Sequence, residues 1–189
     1  MATIVLSVVT LTGATSAVAQ PGRQQGAPET FTANANVTGA AGAAAATFTV
    51  VIKRYTPDAD RTAVEGALKG GGYPAFLKAL RQAPDVGYVQ HGPNQFAIRY
   101  ARETRTPKGR TIVLVTEKPM FFLGGAAPDA KPREGYEVAL LRMEIDDVGL
   151  GNGMMTGAAR VKPLPEGGVQ VDDYAEQPIK LVTVTRKLS

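Results

Sequence analysis

Five cations crowd one short stretch of this chain. Arg99, Arg102, Arg105, Lys108 and Arg110 fall within twelve residues, opposed there by Glu103 alone. Five positive charges less one negative give +4, which equals the net charge of the whole chain. Clustered guanidinium groups fork onto carboxylate or phosphate oxygens. A strand end and a hairpin tip here would let several of them converge on one anionic surface. A solvated hairpin would carry the same residues. Nucleic acid is not the expected partner, because single-strand readers add aromatic platforms and Tyr100 is the one aromatic nearby.

The inventory of nucleophiles is poor. Serine occurs only at Ser7, Ser16 and Ser189, and cysteine is absent. A serine hydrolase holds its nucleophile rigidly beside a base, and neither end of this chain is a promising place for one. Lack of cysteine removes thiol catalysis, disulfides and thiolate metal sites. The one histidine, His91, lies in a Gly-Pro turn signal, where a solvated turn residue is the expectation. The doublets Asp146-Asp147 and Asp172-Asp173 do not supply facing acids by themselves, since neighbours on a strand point to opposite sides. Residues 146–153, DDVGLGNG, set oxygen ligands beside glycines, but the EF-hand spacing is not met. A glycine-rich hairpin that bends a long strand is preferred. No cofactor and no metal site is expected, and a non-enzymatic protein is favoured.

The elements that must position these residues follow from periodicity. Alternation begins at Phe31, Ala33, Ala35 and Val37, and a second strand covers residues 47–55. Residues 38–46, TGAAGAAAA, read as a flexible connection or a helical turn. Then the period changes. Thr56-Pro57 makes an N-cap and N1 pair, residues 70–72 (GGG) stop the helix, Pro74 starts another, and Pro84 ends it. This helical pair should pack on a sheet through Phe76, Leu77 and Leu80. Further strands are expected at 86–90, 95–101, 110–116, 136–145, 154–162, 169–174 and 179–186, joined by turns rich in Gly, Pro and Asp. The fold class is α+β, mainly β: an antiparallel curled sheet, barrel or sandwich with an inserted short helical hairpin. Small residues on the strands (Ala97, Ala101, Ala139, Gly157, Ala158, Ala159) would leave space inside or let sheets pack closely.

The amino terminus has the character of an export signal. An apolar core over residues 4–11 is followed by Ala17-Val18-Ala19, an A-x-A cleavage signature. The core is far shorter than the ~20 residues that span a bilayer. The expected division is a signal peptide at 1–19, a flexible linker at 20–29 (QPGRQQGAPE), and one β-rich domain at 30–189 with its helical pair at about 57–83. The mature protein would then be periplasmic or extracellular.

Several segments resemble a group of uncharacterised small exported bacterial proteins. They are Val86-Gly87-Tyr88-Val89, Ile98-Arg99-Tyr100-Ala101, Arg110-Thr111-Ile112-Val113-Leu114, Gly149-Leu150-Gly151-Asn152-Gly153 and Gln177-Pro178-Ile179-Lys180-Leu181, covering residues 57–187. The resemblance implies export and a common domain, and it carries over no functional residue. The expected function is therefore an exported envelope or secreted protein with a binding or structural role, its partner an anionic envelope component. Two alternatives stand beside it: a carrier of a small apolar ligand in a barrel cavity, and a carboxylate-dependent hydrolase.

Overall fold

A computed structural model describes residues 28–39, 42–121 and 132–187. The expected signal peptide, the linker up to residue 27 and most of the 124–134 loop lie outside the described residues. The strands are β1 (Glu29–Gly39), β2 (Gly42–Ile52), β3 (Gly87–His91), β4 (Asn94–Thr106), β5 (Gly109–Thr116), β6 (Val138–Ile145), β7 (Leu150–Pro163), β8 (Val169–Tyr174) and β9 (Ile179–Lys187), with one helical element, α1 (Asp58–Gln82), between β2 and β3.

All pairings are antiparallel. Each strand from β1 to β7 bonds the next, β7 also bonds β9, and β9 bonds β1. Eight strands thus close into a barrel, and β8 is attached outside it through β7. Closure of this size leaves an interior just wide enough for side chains. Phe31, Phe48, Val50, Ile98, Ile112, Leu114, Leu141, Met143, Leu181 and Val184 fill it, each 0% exposed. Ala101 and Ala139 belong to the same interior cluster, so these small residues serve close packing. Gly157 does likewise, because a Cβ there would strike the Met120 carbonyl oxygen.

A second core lies outside the barrel wall. Val64, Leu68, Phe76 and Leu80 of α1 pack on Tyr100, Val115, Val138, Leu140 and Ala159 of the strands, with Val161 and Val169 beside them. Phe76 and Leu80 are fully buried and Leu77 partly so, as the apolar stripe predicts.

The expected helical pair is present as two helical pieces within α1 that meet at Gly72, whose φ of 68° and ψ of −164° no helix contains. Three local expectations are corrected. Thr56 does not cap it; its hydroxyl accepts the Ala101 backbone N–H at 2.8 Å, and the helix starts after Pro57 with no side-chain cap. The described residues of the alanine-rich run belong to strands: β1 and β2 stay paired as far as Gly39 opposite Gly42. Ladder pairing there outweighs the weak strand preference of alanine. Glu29, assigned to the linker, is the first residue of β1 and is buried.

Candidate functional site

Strand registers arrange the outer face of β4–β7 in rows. Thr104, Thr111, Glu144 and Asn152 are cross-strand neighbours, as are Arg102, Val113, Arg142 and Met154, and Tyr100, Val115, Leu140 and Thr156. The third row lies largely under α1. The first two rows floor a groove made of three cavities of about 520, 240 and 240 Å³. These run together: the first two share Thr106, Thr111 and Arg142, and the last two share Val113, Arg142 and Val169. The 107–108 and 146–150 hairpin tips border one end. The β7–β8 turn and β8 border the other.

Glu65 fixes that second wall. Buried on α1, it accepts hydrogen bonds from the Tyr100 hydroxyl at 2.8 Å and from the Gly168 backbone N–H at 2.8 Å, and Arg102 and Arg61 lie 3.6 and 3.8 Å away. Burial first, then the bond to Glu65, pushes the Tyr100 hydroxyl above its ordinary pKa, so it stays a donor. The turn must be glycine at this point. Gly168 has φ 99°, and a Cβ would lie 2.5 Å from Arg102 Nη1.

The five cations singled out by sequence are distributed among separate surroundings. Arg99 is held by Glu117 at 2.7 Å, Asp85 at 3.0 Å and the Ala83 carbonyl at 2.8 Å. Arg102 sits against Glu65 in the groove wall. Arg105 is exposed and loosely paired with Glu103 and Asp147. Lys108 is exposed at the groove's end. Arg110 follows the parity of Ile112 and Leu114 and points into the barrel's end. There it forks onto both oxygens of Glu29, at 2.7 and 3.0 Å, and meets Glu103 at 3.0 Å. The Tyr55 hydroxyl donates to Glu29 at 2.7 Å, and Arg186 adds a contact at 3.1 Å. This polar plug closes one end of the apolar lumen.

Burial pushes the Glu29 carboxyl up, but hydrogen bonds from Arg110 and Tyr55 and the charges of Arg110 and Arg186 outweigh it, leaving the pKa below the ordinary 4.5. A carboxylate depressed by folding stabilises the fold above its unfolded pKa and loses that contribution as pH falls through the folded value. The urea midpoint should therefore drop from about pH 5 downward, and Glu29→Gln should flatten that drop. Equal slopes for wild type and variant would show that this group is not linked to stability.

The remaining sequence candidates have local roles. Asp146 Oδ1 accepts the backbone N–H groups of Val148 and Leu150 at 3.0 and 2.8 Å, so it ties its own turn. Gly151 follows because any Cβ there would strike the Glu144 carbonyl oxygen, which supports the strand-bending reading of DDVGLGNG. Asp172 pairs with Arg160 and Lys162, and Asp173 with Arg160 and the Tyr136 hydroxyl. His91 is half-buried, its Nδ1 3.1 Å from the Thr47 carbonyl oxygen and its ring against Phe48. Among the described residues no group of three or more His, Asp or Glu is placed to hold a metal ion.

Arg142 is among the site residues that the sequence reading did not single out. Arg142 stands among apolar residues in VALLRMEI, and the alternation Leu140, Arg142, Glu144 already put it on the outer face. A second concavity, of about 620 Å³, lies where Tyr73, Pro74, Leu77 and Arg81 of α1 face Glu137 and Arg160. Comparisons with protein-family models, curated proteins and solved structures give no match.

Proposed function

We propose that this chain is an exported, non-catalytic protein of the periplasm or cell exterior that holds an anionic ligand in the groove on the outer face of β4–β7. The placement of Arg142 carries the reading. It lines all three cavities, is half exposed, and pairs with Glu144, which is itself 59% exposed. An exposed pair of this kind is worth ~0 to 1 kcal/mol, so a ligand carboxylate or phosphate displaces Glu144 at little cost. Arg102 adds a second cation, and Thr104, Thr106 and Thr111 add hydroxyls. Export is supported by the apolar core and A-x-A ending of residues 1–19.

Titration with poly-L-glutamate and with the carboxylated polysaccharide alginate tests this reading. At low salt at least one should bind, and binding should weaken as salt shortens the Debye length from ~10 Å at 0.1 M to ~3 Å at 1 M. Arg142→Gln should cost about tenfold in affinity, or ~1.4 kcal/mol. The double change Arg105→Gln with Lys108→Gln, at exposed positions on the hairpin tip, should cost less. Binding of neither polyanion, or loss through the tip variant while Arg142→Gln has no effect, would refute the groove as the site.

A carrier of small apolar ligands is a second reading. Side chains occupy the lumen, so the observation that favours this reading is the 620 Å³ concavity walled by Tyr73, Pro74 and Leu77.

A further inference from the structure

The groove has a feature that a generic anion site does not need. Its wall at the β8 end is a strand with an open edge: β8 bonds β7 and, among the described residues, no other strand. Such an edge presents a row of backbone donors and acceptors at the spacing of another extended backbone. Proteins ordinarily blunt exposed edges with charges, proline or a covering element. The first half of β8 has neither charge nor proline; Val169 is buried against the outer core, while Gln170 and Val171 are partly exposed, and all three line the cavity beside Val113, Leu140, Arg142 and Met154. The strand's charges, Asp172 and Asp173, lie beyond and are paired with Arg160 and Lys162.

The first half of β8 and the floor therefore border one recess. The floor sets cations next to apolar surface, with Arg102 and Arg142 alternating with Val113 and Met154 along one cross-strand row. Main-chain pairing to an edge supplies affinity, while pockets for alternate side chains supply selectivity. A polysaccharide satisfies the arginines but has no regular N–H and C=O repeat for the edge.

We infer that the ligand is an extended peptide segment carrying acidic and apolar side chains in alternation, which adds to β8 as a strand while its carboxylates reach Arg142 and Arg102. This inference rests on the anionic-ligand reading of the same groove and names its class of partner. The peptide's backbone N–H groups along one edge would donate to β8 carbonyls. Those along its other edge would remain in solvent.

The probe is a synthetic peptide of alternating Val and Glu, compared with two versions N-methylated either at every Val or at every Glu. Neighbouring residues of a strand turn their N–H groups to opposite edges, so each version blocks one edge. The parent should bind in an Arg142-dependent manner. One methylated version should lose about tenfold or more, as expected for buried hydrogen bonds left unmade, and the other should bind nearly as the parent does. Equal binding of all three would overturn strand addition while leaving the anion groove intact, provided Arg142→Gln still weakens them. Loss of both methylated versions would also overturn pairing through a single edge. Binding of alginate but of no peptide would overturn the peptide class alone, and binding of neither would remove both readings. Sedimentation of the protein alone completes the set: a dimer that the peptide fails to dissociate would put a second copy on the edge and overturn the inference.

Discussion

Glu65→Ala should destabilise the protein by ~3 to 5 kcal/mol, the cost of removing one member of a mostly buried charge pair whose carboxylate also accepts two hydrogen bonds. Glu65 is 9% exposed, and its carboxylate serves three structures at once. It anchors α1 to the Tyr100 hydroxyl on β4, holds the β7–β8 turn through the Gly168 N–H, and faces Arg102. Alanine leaves a phenol, an amide and a guanidinium without that acceptor, in a place where water does not replace it freely. Glu65→Gln should cost less, because its one carbonyl oxygen still accepts from either Tyr100 or Gly168. Urea melts measure the loss, and hydrogen exchange at the Gly168 amide locates it. A change below about 1 kcal/mol for Glu65→Ala would mean that the turn is held by packing alone.

Leu80→Ala should cost ~2 to 5 kcal/mol. Leu80 is 0% exposed and packs in the outer core formed by α1, β4, β5, β6 and β7. The truncation removes buried methyl groups and leaves a cavity, because α1 is pinned on its other half by Glu65 and by Val64 and Leu68. Leu77→Ala, three residues earlier in the same helical piece but only partly buried, should cost less. Equal and small losses at both positions would place that face of α1 in solvent.

The strands and the helical insertion were legible because period-two and period-3.6 patterns are local. Barrel closure was not. It depends on β7 meeting both β6 and β9, and on β9 meeting β1 across most of the chain, and no local pattern records those registers. The same distance hid the fate of the basic hairpin. Its acids come from afar: Glu29 for Arg110, Glu65 for Arg102, and Asp85 and Glu117 for Arg99. A charge cluster in sequence was thereby distributed over a barrel plug, a groove wall and a helix end. Glu65 looked like any polar residue on a helix, since nothing local says that a turn about one hundred residues later comes to rest on it. Arg142 was readable, because strict alternation in VALLRMEI already turns it outward beside Glu144. What the pattern lacks is the neighbouring row, with Arg102 and Val113 delivered by two other strands.

The groove, rather than the lumen or the hairpin tip, is the central functional claim. Backbone amide NMR during titration with the Val-Glu peptide tests it most directly. Shifts should concentrate at Arg102, Val113, Arg142 and Met154 and along Val169, Gln170 and Val171, while the lumen residues Phe31, Phe48 and Leu181 stay unmoved. Shifts confined to Arg105 and Lys108, or centred on the lumen, would contradict it.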